Sequence, residues 1–309
     1  MPAPAGDRSR EGAAPAAAGG RAGDYLRLLR PHQWLKNLVV FAPLVAAHET
    51  RPGPYLVVAG LCAALTACAA GTYVLNDLLD LPHDRRHPRR RRRPLAAGTV
   101  RAVPAGWLAG GLAAGGLAAA FWLSVPAGRW VLLYVAVTAA YSLALKRKLF
   151  LDVIALAVLF TLRVLAGGAA AAVPLSPWFL AFSVFVFLAL AVAKRQSELQ
   201  ALRAADLSAA GGRAYRAEDL AVLAALGAAS SFAAVLVLTL YVSSPAVSER
   251  YARPDFLWLV GLLLLYWLGR AMLLANRGAV GDDPVVFALR DRTSWLVGGG
   301  MLALFGAAL

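Results

Sequence analysis

The chain has 309 residues, of which 60% are hydrophobic, a mean hydropathy of +0.63 and a formal net charge of +14. This composition excludes an ordinary soluble domain, because the apolar residues form runs long enough to cross a bilayer. The positive charges lie in short segments between those runs, as in membrane proteins, so we exclude nucleic acid as a partner and expect the lipid bilayer.

Residues 1–23 are mostly Ala, Gly, Pro and Arg without periodicity, which predicts a disordered basic tail that lacks the apolar core of a signal peptide. We expect one transmembrane domain over 24–309, with a first span over 24–48. This span contains the stretch Arg30-Pro31-His32-Gln33-Trp34-Leu35-Lys36-Asn37, whose polar, aromatic and basic character suits a membrane interface. Lys36 and Asn37 are candidates for contacting a bound anion, and anchoring to lipid headgroups explains them equally well.

The second span, predicted over 55–80, ends in a polar cluster on one helix face. At about 100° per residue, Asn76, Asp77, Asp80 and Asp84 lie within an arc of roughly 100°. Three carboxylates and an amide oxygen are suitable ligands for a hard cation, and Mg²⁺ prefers a few carboxylates together with phosphate oxygens. Pro82 disfavours helical geometry at the residue before it, so we expect a bend before Asp84.

The cluster is followed by an arginine-rich stretch over 85–94. Arginines hold a loop in the cytoplasm, and the same loop is suited to contacting phosphates bound at the acidic cluster, so both interpretations hold together. A zinc site of His83, His87 and Asp80 is a weaker alternative, because the prolines at 82 and 88 interrupt the helix face that would align them.

Seven further spans are predicted, over 104–123, 130–145, 150–172, 176–193, 220–242, 256–274 and either 284–309 or, after a short interfacial helix, 293–309. The fold class is therefore an all-α integral membrane protein with about nine transmembrane helices around a central cavity that opens to the cytoplasmic side. Lys and Arg are concentrated in the segments 81–103, 146–148, 194–217 and 276–292. The positive-inside rule then places these segments, the N-terminus and the active site on the cytoplasmic side of the plasma membrane, with the C-terminus outside.

Two charged features remain within these spans. Arg163 lies well inside the span 150–172, where a charge costs several kcal/mol unless it faces a cavity or a partner. It is a site candidate, with a structural ion pair or backbone clamp as an equal alternative. The span 176–193 ends in Lys194-Arg195-Gln196-Ser197-Glu198, in which Lys194 and Glu198 share a helix face.

The stretch 76–84 resembles the Asn-Asp-x-x-Asp-x-x-x-Asp motif of the UbiA superfamily of intramembrane prenyltransferases. The resemblance covers about residues 24–309 and implies nine transmembrane helices, with Mg²⁺ at Asp-rich motifs binding a diphosphate on the cytoplasmic side. The second motif of the superfamily is usually Asp-x-x-x-Asp, whereas the stretch 194–198 has two bases and one acid. This departure implies fewer metal ions and more phosphate charge held by basic side chains.

With the stretches 30–37 and 141–148, the basic second motif is most similar to the decaprenyl-phosphate phosphoribosyltransferase branch. That likeness implies transfer of 5-phosphoribose from phosphoribosyl diphosphate to a polyprenyl phosphate, with release of diphosphate, in cell-wall arabinan precursor synthesis. The implied metal ligands are Asn76, Asp77, Asp80 and Asp84, and the implied catalytic residues are Asp80, Asp84 and Lys194. The implied substrate-binding residues are Lys36, Asn37, Arg93, Tyr141, Lys146, Arg163, Lys194, Arg195 and Glu198.

Two other functions are weighed against this one. A prenyltransferase that moves a prenyl group from a prenyl diphosphate to an aromatic acceptor shares the first motif, but the basic second motif argues against it. A non-catalytic transporter would place charges near the membrane midplane, whereas most charges here lie at the ends of spans. The sequence fixes neither the prenyl chain length nor the oligomeric state, and a homo-oligomer is left open.

Overall fold

The computed structural model describes residues 22–86, 90–204, 214–248, 251–281 and 283–309. In these segments the chain forms helices and no β-strand, which confirms the all-α class. Most of the predicted tail, residues 1–21, lies outside the described residues. So does His87, and with it the alternative zinc site.

Thirteen α-helices follow one another in the segments that the structure describes. They are α1 (Ala22–Leu29), α2 (Ala42–Ala46), α3 (Pro52–Leu79), α4 (Leu81–Asp84), α5 (Ala102–Leu123), α6 (Val125–Leu143), α7 (Leu151–Ala170), α8 (Pro177–Ala204), α9 (Leu220–Val242), α10 (Pro245–Ser248), α11 (Asp255–Asn276), α12 (Pro284–Arg290) and α13 (Arg292–Ala308). Short 3-10 segments occupy Arg90–Arg92, Leu145–Arg147 and Ala217–Asp219, and a long one occupies Pro31–Phe41.

Six helices in the described part of the chain are long and apolar enough to cross a membrane, which makes the chain a multi-pass membrane protein. They are α3, α5, α7, α8, α11 and α9 with the 3-10 turn before it. The predicted count of nine is therefore not established. α13 has 17 residues, fewer than the roughly 20 that span a bilayer, and it follows the short helix α12, as in the second of the two predicted arrangements. The predicted orientation of the two membrane faces stays a prediction.

The predicted first span is not one helix. Arg30 adopts a left-handed conformation with φ of 53°, because the proline after it disfavours the right-handed helical geometry at this position. The Trp34 indole nitrogen donates to the Leu29 carbonyl at 3.0 Å, so the carbonyl at the end of α1 keeps a partner. The chain then continues as the 3-10 segment Pro31–Phe41 before α2.

Close backbone approaches bring these segments together. A Cβ atom on Gly167 of α7 would lie 2.0 Å from the Val40 carbonyl oxygen, so only glycine lets the 3-10 segment pack directly on α7. A Cβ atom on Gly71 of α3 would similarly lie 2.7 Å from the Ala109 carbonyl oxygen of α5. Small residues at helix contacts are the usual means of dense packing in membranes.

The ends of α11 and α13 are joined by a charged pair. Asp291 is the N-cap of α13 and accepts hydrogen bonds from the Ser294 backbone and hydroxyl, both at 2.8 Å. The Arg270 guanidinium donates to both Asp291 carboxylate oxygens, at 2.7 and 3.0 Å. These hydrogen bonds, first of all the one from Arg270, lower the pKa of Asp291 to about 2.

Replacing Asp291 by Asn should lower the free energy of unfolding by about 1 kcal/mol near neutral pH, because Asn keeps a capping oxygen but loses the charged pair. The stabilisation by the native carboxylate is complete above its ordinary pKa of about 3.9 and is lost as the pH falls toward 2. The difference in melting temperature between the two proteins should therefore shrink over that range. Asp255→Asn, an exposed carboxylate at the start of α11, is the matched control. A difference independent of pH would contradict this account.

Candidate active site

The carboxylates of the first motif lie where α3 and α4 meet. The Asp84 backbone N–H donates to the Asp80 carbonyl at 2.9 Å, so the chain keeps a helical path through Pro82 despite the break between the two helices. Asp77 and Asp84 are buried, whereas Asp80 and Asn76 are partly exposed. Two of the predicted ligand carboxylates are therefore inside the protein, and their joint role in holding a metal stays a prediction.

Guanidinium groups from two other elements neutralise the buried carboxylates. Arg30 Nη2 lies 2.5 Å from Asp77 Oδ1, and its guanidinium also covers the Tyr73 ring at 5.4 Å. Arg93 Nη1 bridges the two acids, at 3.0 Å from Asp77 Oδ1 and 2.6 Å from Asp84 Oδ2. Such pairing lowers the cost of burying the carboxylates so close together.

The other carboxylate oxygens of the cluster have longer contacts with bases or none. Lys146 Nζ lies 3.8 Å from Asp80 Oδ2. Asp84 Oδ1 is buried and accepts no hydrogen bond from a described residue, and the Arg90 guanidinium is 3.8 Å away. In the described part of the chain, no three acidic, His or Cys side chains converge into a ready metal cage. Arg93 instead lies between Asp77 and Asp84.

Lys36 connects the 3-10 segment to the last part of the chain. Its ammonium forms a close ion pair with Asp283, the N-cap of α12, which also accepts from the Val285 backbone N–H at 3.1 Å. Burial lowers the pKa of Lys36, and the negative charge of Asp283 opposes that effect. Lys36 therefore lies at the seam between the first and last segments.

Asn37 and Arg163 form a polar clamp between helices. Arg163 donates to Asn37 Oδ1 at 2.9 Å, to the Leu159 carbonyl at 2.8 Å and to the Tyr134 hydroxyl at 3.0 Å. The Asn37 amide in turn donates to the Thr66 hydroxyl at 2.9 Å. The contacts of Arg163 are those of the structural clamp that the sequence offered as its alternative, and its role in binding substrate stays a prediction.

The second motif also surrounds a buried guanidinium. Arg195 is wholly buried, lies 2.6 Å from Asp152 Oδ2 in an ion pair, and hydrogen-bonds Glu198 one turn further along α8. The Tyr215 hydroxyl donates to Asp152 at 2.6 Å and accepts from the Phe150 backbone. Burial and the bond to Asp152 raise the pKa of Tyr215. Arg195 thus faces protein carboxylates, whereas the sequence predicted that it binds substrate.

The other predicted residues lie at the same end of the bundle as the carboxylates. Lys194 and Glu198 are partly buried near the C-terminal end of α8, and Tyr141 is partly buried near that of α6. We call this end, formed by the C-terminal ends of α3, α6 and α8 and the N-terminal end of α7, the polar end. It brings the first and second motifs to one side of the molecule, as the sequence predicts.

Several residues of these networks were not among the predicted site residues. They include Arg30, Asp152, Tyr215 and Asp283. Arg30 carried a signal, since it stands before Pro31 in the basic stretch already singled out, and Asp283 carried one as the acid before Pro284. Asp152 and Tyr215 meet across 63 positions, a pairing for which one sequence offers no signal.

A cavity of about 820 Å³ lies at the opposite end from the carboxylates. Its walls include the segment between α7 and α8, the C-terminal ends of α9 and α13 and the N-terminal ends of α8 and α11. Apolar residues dominate, among them Leu38, Phe41, Phe182, Leu264, Met301 and Phe305. The cavity that the sequence predicts at the polar end is a different one and stays a prediction. The cavity described here reaches Leu38, two positions after Lys36.

Comparison with known proteins gives a family and a fold. The model of the UbiA prenyltransferase family matches residues 38–297. A UbiA homologue from Archaeoglobus fulgidus, solved bound to GPP and Mg²⁺, superposes with a TM-score of 0.68 at 18% identity, over 92% of this chain and 99% of that one. At that identity the likeness concerns the fold.

Relatives with closer sequences carry different names. Uncharacterized protein y4nM of Sinorhizobium fredii is 36% identical over 93% of this chain, which spans 56% of that protein's length. Nodulation protein NoeC of Azorhizobium caulinodans is 34% identical over 92% of this chain and 91% of its own. Decaprenyl-phosphate phosphoribosyltransferase of Mycolicibacterium smegmatis is 40% identical over 180 residues, 57% of each chain.

Replacing Tyr134 by Phe should destabilise the protein by about 1–3 kcal/mol, because one N–H of the buried Arg163 guanidinium loses its acceptor. The measurement is thermal unfolding of the detergent-purified protein. Tyr266→Phe, which removes an exposed hydroxyl from α11, is the control and should leave the melting temperature unchanged. Equal melting temperatures for the Tyr134 variant and the native protein would show that the clamp contributes little.

Proposed function

This chain belongs to the UbiA prenyltransferase family, and we propose that it transfers 5-phosphoribose from phosphoribosyl diphosphate to a polyprenyl phosphate, releasing diphosphate. The observation that carries the proposal is the end of α8, where Lys194 and Arg195 stand in place of a second pair of metal-binding carboxylates. The Asp152 and Glu198 carboxylates at this place are already paired with Arg195. The name of the Mycolicibacterium smegmatis relative supports the same transferred group and the same acceptor.

The first motif fits a magnesium ion. It supplies hard oxygen ligands, and Asp84 Oδ1 is a buried acceptor without a hydrogen-bond donor among the described residues. Asn76, Asp77, Asp80 and Asp84 would hold the ion, and Asp80 and Asp84 would act in the reaction by holding it beside the diphosphate. When bound, Mg²⁺ would neutralise the charge of the leaving diphosphate. The Archaeoglobus fulgidus homologue was solved with this ion.

Basic residues of the polar end would hold the other phosphates. Lys36, Lys146 and Lys194 come from three different elements and offer point charges, and Arg93 offers a planar fork suited to phosphate oxygens. An oxygen of the acceptor phosphate forms a bond to C1 of the ribose as the bond from C1 to the diphosphate breaks. The acceptor phosphate is already anionic, so the transfer needs no general base.

Other predicted residues are better placed to position the site. Both polar groups of the Asn37 amide are used by Thr66 and Arg163, which fixes the 3-10 segment that carries Lys36. Arg195 similarly holds Glu198 and Asp152 at the end of α8. We therefore assign Asn37, Arg163 and Arg195 positioning roles, and we keep Tyr141 as a residue that borders the substrates.

The apolar cavity is suited to the hydrocarbon chain of the acceptor. Its walls are almost entirely apolar, and exposed side chains at its edge, such as Leu302 and Leu309, border the bilayer. A polyprenyl chain bound there would enter sideways from the lipid and place its phosphate at the polar end. Apolar walls with a few polar groups at one end are typical of lipid-binding sites.

A prenyl diphosphate donor with an aromatic acceptor is the second candidate. It is favoured by the Archaeoglobus fulgidus homologue, which was solved with the prenyl diphosphate GPP. Both candidates use the first motif to hold a diphosphate and differ in what the bases of the polar end bind. Only the phosphoribosyl donor carries a second phosphate, on C5, for those bases to neutralise.

The decisive experiment measures diphosphate release by the detergent-purified protein with Mg²⁺ and phosphoribosyl diphosphate, with and without decaprenyl phosphate. We expect release only when the lipid is present, and a loss of at least about 100-fold in Asp80→Asn, because a carboxylate that would hold the Mg²⁺ neutralising the leaving diphosphate is removed. Asp255→Asn should retain native activity. Release from a prenyl diphosphate with an aromatic acceptor, and not from phosphoribosyl diphosphate, would favour the second candidate.

Filling the cavity should weaken binding of the lipid acceptor but not of phosphoribosyl diphosphate. Leu264 lines the cavity and is buried. Leu264→Trp should therefore raise the KM for decaprenyl phosphate about 10-fold, because one poorly fitting group costs roughly 1–3 kcal/mol. The KM for phosphoribosyl diphosphate should stay unchanged. Leu262→Trp places the same bulk on the exposed face of α11 and is the control. An equal change in both KM values would mean that the cavity does not hold the lipid chain.

A further inference from the structure

Each carboxylate of the first motif is paired with a base from a different part of the chain. Asp77 has Arg30 from the junction of α1 and the 3-10 segment, Asp84 has Arg93 from the segment after α4, and Asp80 has Lys146 from the segment after α6. A metal bound at these oxygens would therefore compete with protein cations. The arginines at Asp77 and Asp84 are the closest of these competitors.

The acids and the bases differ in exposure. The side chains of Asp77 and Asp84 are 4% and 1% exposed, whereas those of Arg30 and Arg93 are 27% and 31% exposed. A long guanidinium side chain at the rim can rotate outward by changing rotamers, but the short buried carboxylates have no such freedom. An exchange of partners at this cluster would thus move the arginines and leave the acids in place.

One oxygen of the cluster is already available. Asp84 Oδ1 is buried and accepts no hydrogen bond from a described residue, and the Arg90 guanidinium lies 3.8 Å from it. A buried carboxylate oxygen in this state favours a cation that can approach more closely. The same carboxylate gives its other oxygen to Arg93 at 2.6 Å.

We propose that Arg30 and Arg93 are exchangeable counter-ions, which occupy Asp77 and Asp84 until metal and diphosphate arrive together. The entering metal takes the carboxylate oxygens, and the displaced guanidinium groups bind oxygens of the diphosphate. No covalent bond changes in this exchange. The inference rests on the proposed function only in requiring that the first motif binds a metal with a diphosphate.

The exchange makes metal and diphosphate binding depend on each other. Metal alone must leave two guanidinium groups without their acids, whereas metal with diphosphate gives each guanidinium a new anion. Linkage then requires that each ligand strengthens binding of the other by the same factor, and typical couplings are about 5–150-fold. The arginines would hold the buried acids in the resting protein and contact the leaving group in the loaded one.

The test is a titration of the full-length, detergent-purified protein with MnCl₂, followed by electron paramagnetic resonance, with and without inorganic diphosphate. Free Mn²⁺ is corrected for the complex that forms in solution. In the native protein, diphosphate should strengthen Mn²⁺ binding at least about 5-fold. In Arg93→Gln, Mn²⁺ alone should bind several-fold more tightly than to the native protein, and the strengthening by diphosphate should fall.

Arg30→Gln should also strengthen binding of Mn²⁺ alone and reduce the effect of diphosphate, but by less, because Arg30 contacts only one of the two acids. This variant keeps the test available if Arg93→Gln does not fold. Arg101→Gln makes the same change at an exposed arginine without a carboxylate partner among the described residues, and should behave as native. Unchanged or weaker binding of Mn²⁺ alone in both variants would overturn the proposal. If the native protein bound no Mn²⁺ even in the presence of diphosphate, the metal site of the proposed function would be overturned instead.

Discussion

Two carboxylates buried at the end of a membrane-spanning helix require positive charge close to them, and much of the polar end follows from that requirement. Asp77 and Asp84 share Arg93, and Asp77 also holds Arg30 at the break in the first segment. These bonds connect the second span to the start of the chain and to the segment after α4. Because removing one partner of a buried pair is costly, the elements that supply the partners are held in place as well.

Deeper in the molecule, buried charges are also neutralised by nearby groups, but by a different set of residues. Among the described residues Arg163 meets no carboxylate, and its charge is met by the Asn37 amide, a backbone carbonyl, a hydroxyl and the face of the Tyr134 ring at 4.6 Å. At the second motif, Arg195 instead meets two acids and the Tyr215 ring. Each guanidinium joins segments far apart in sequence, so the charged residues of this membrane protein also determine how its helices are assembled.

The sequence predicted the elements well where one local rule was sufficient. Spacing placed Asn76 and the three acids on one face, and Asp283 before Pro284 marked the start of α12. It failed where a local rule had to be weighed against context. The left-handed Arg30 divides the first segment, although its apolar composition resembles a continuous span. The partners of Arg195 depend on contacts between distant segments, which no periodicity in one sequence encodes.

Along the long 3-10 segment, a charged residue and a residue of the apolar cavity lie only a short distance apart. A 3-10 helix rises about 2.0 Å per residue, so Lys36 and Leu38 are separated along its axis by only about 4 Å. Lys36 forms the ion pair with Asp283, and Leu38 belongs to the wall of the apolar cavity. If an amphiphile binds along this segment, the boundary between its polar head and its apolar tail is fixed to within a few ångströms.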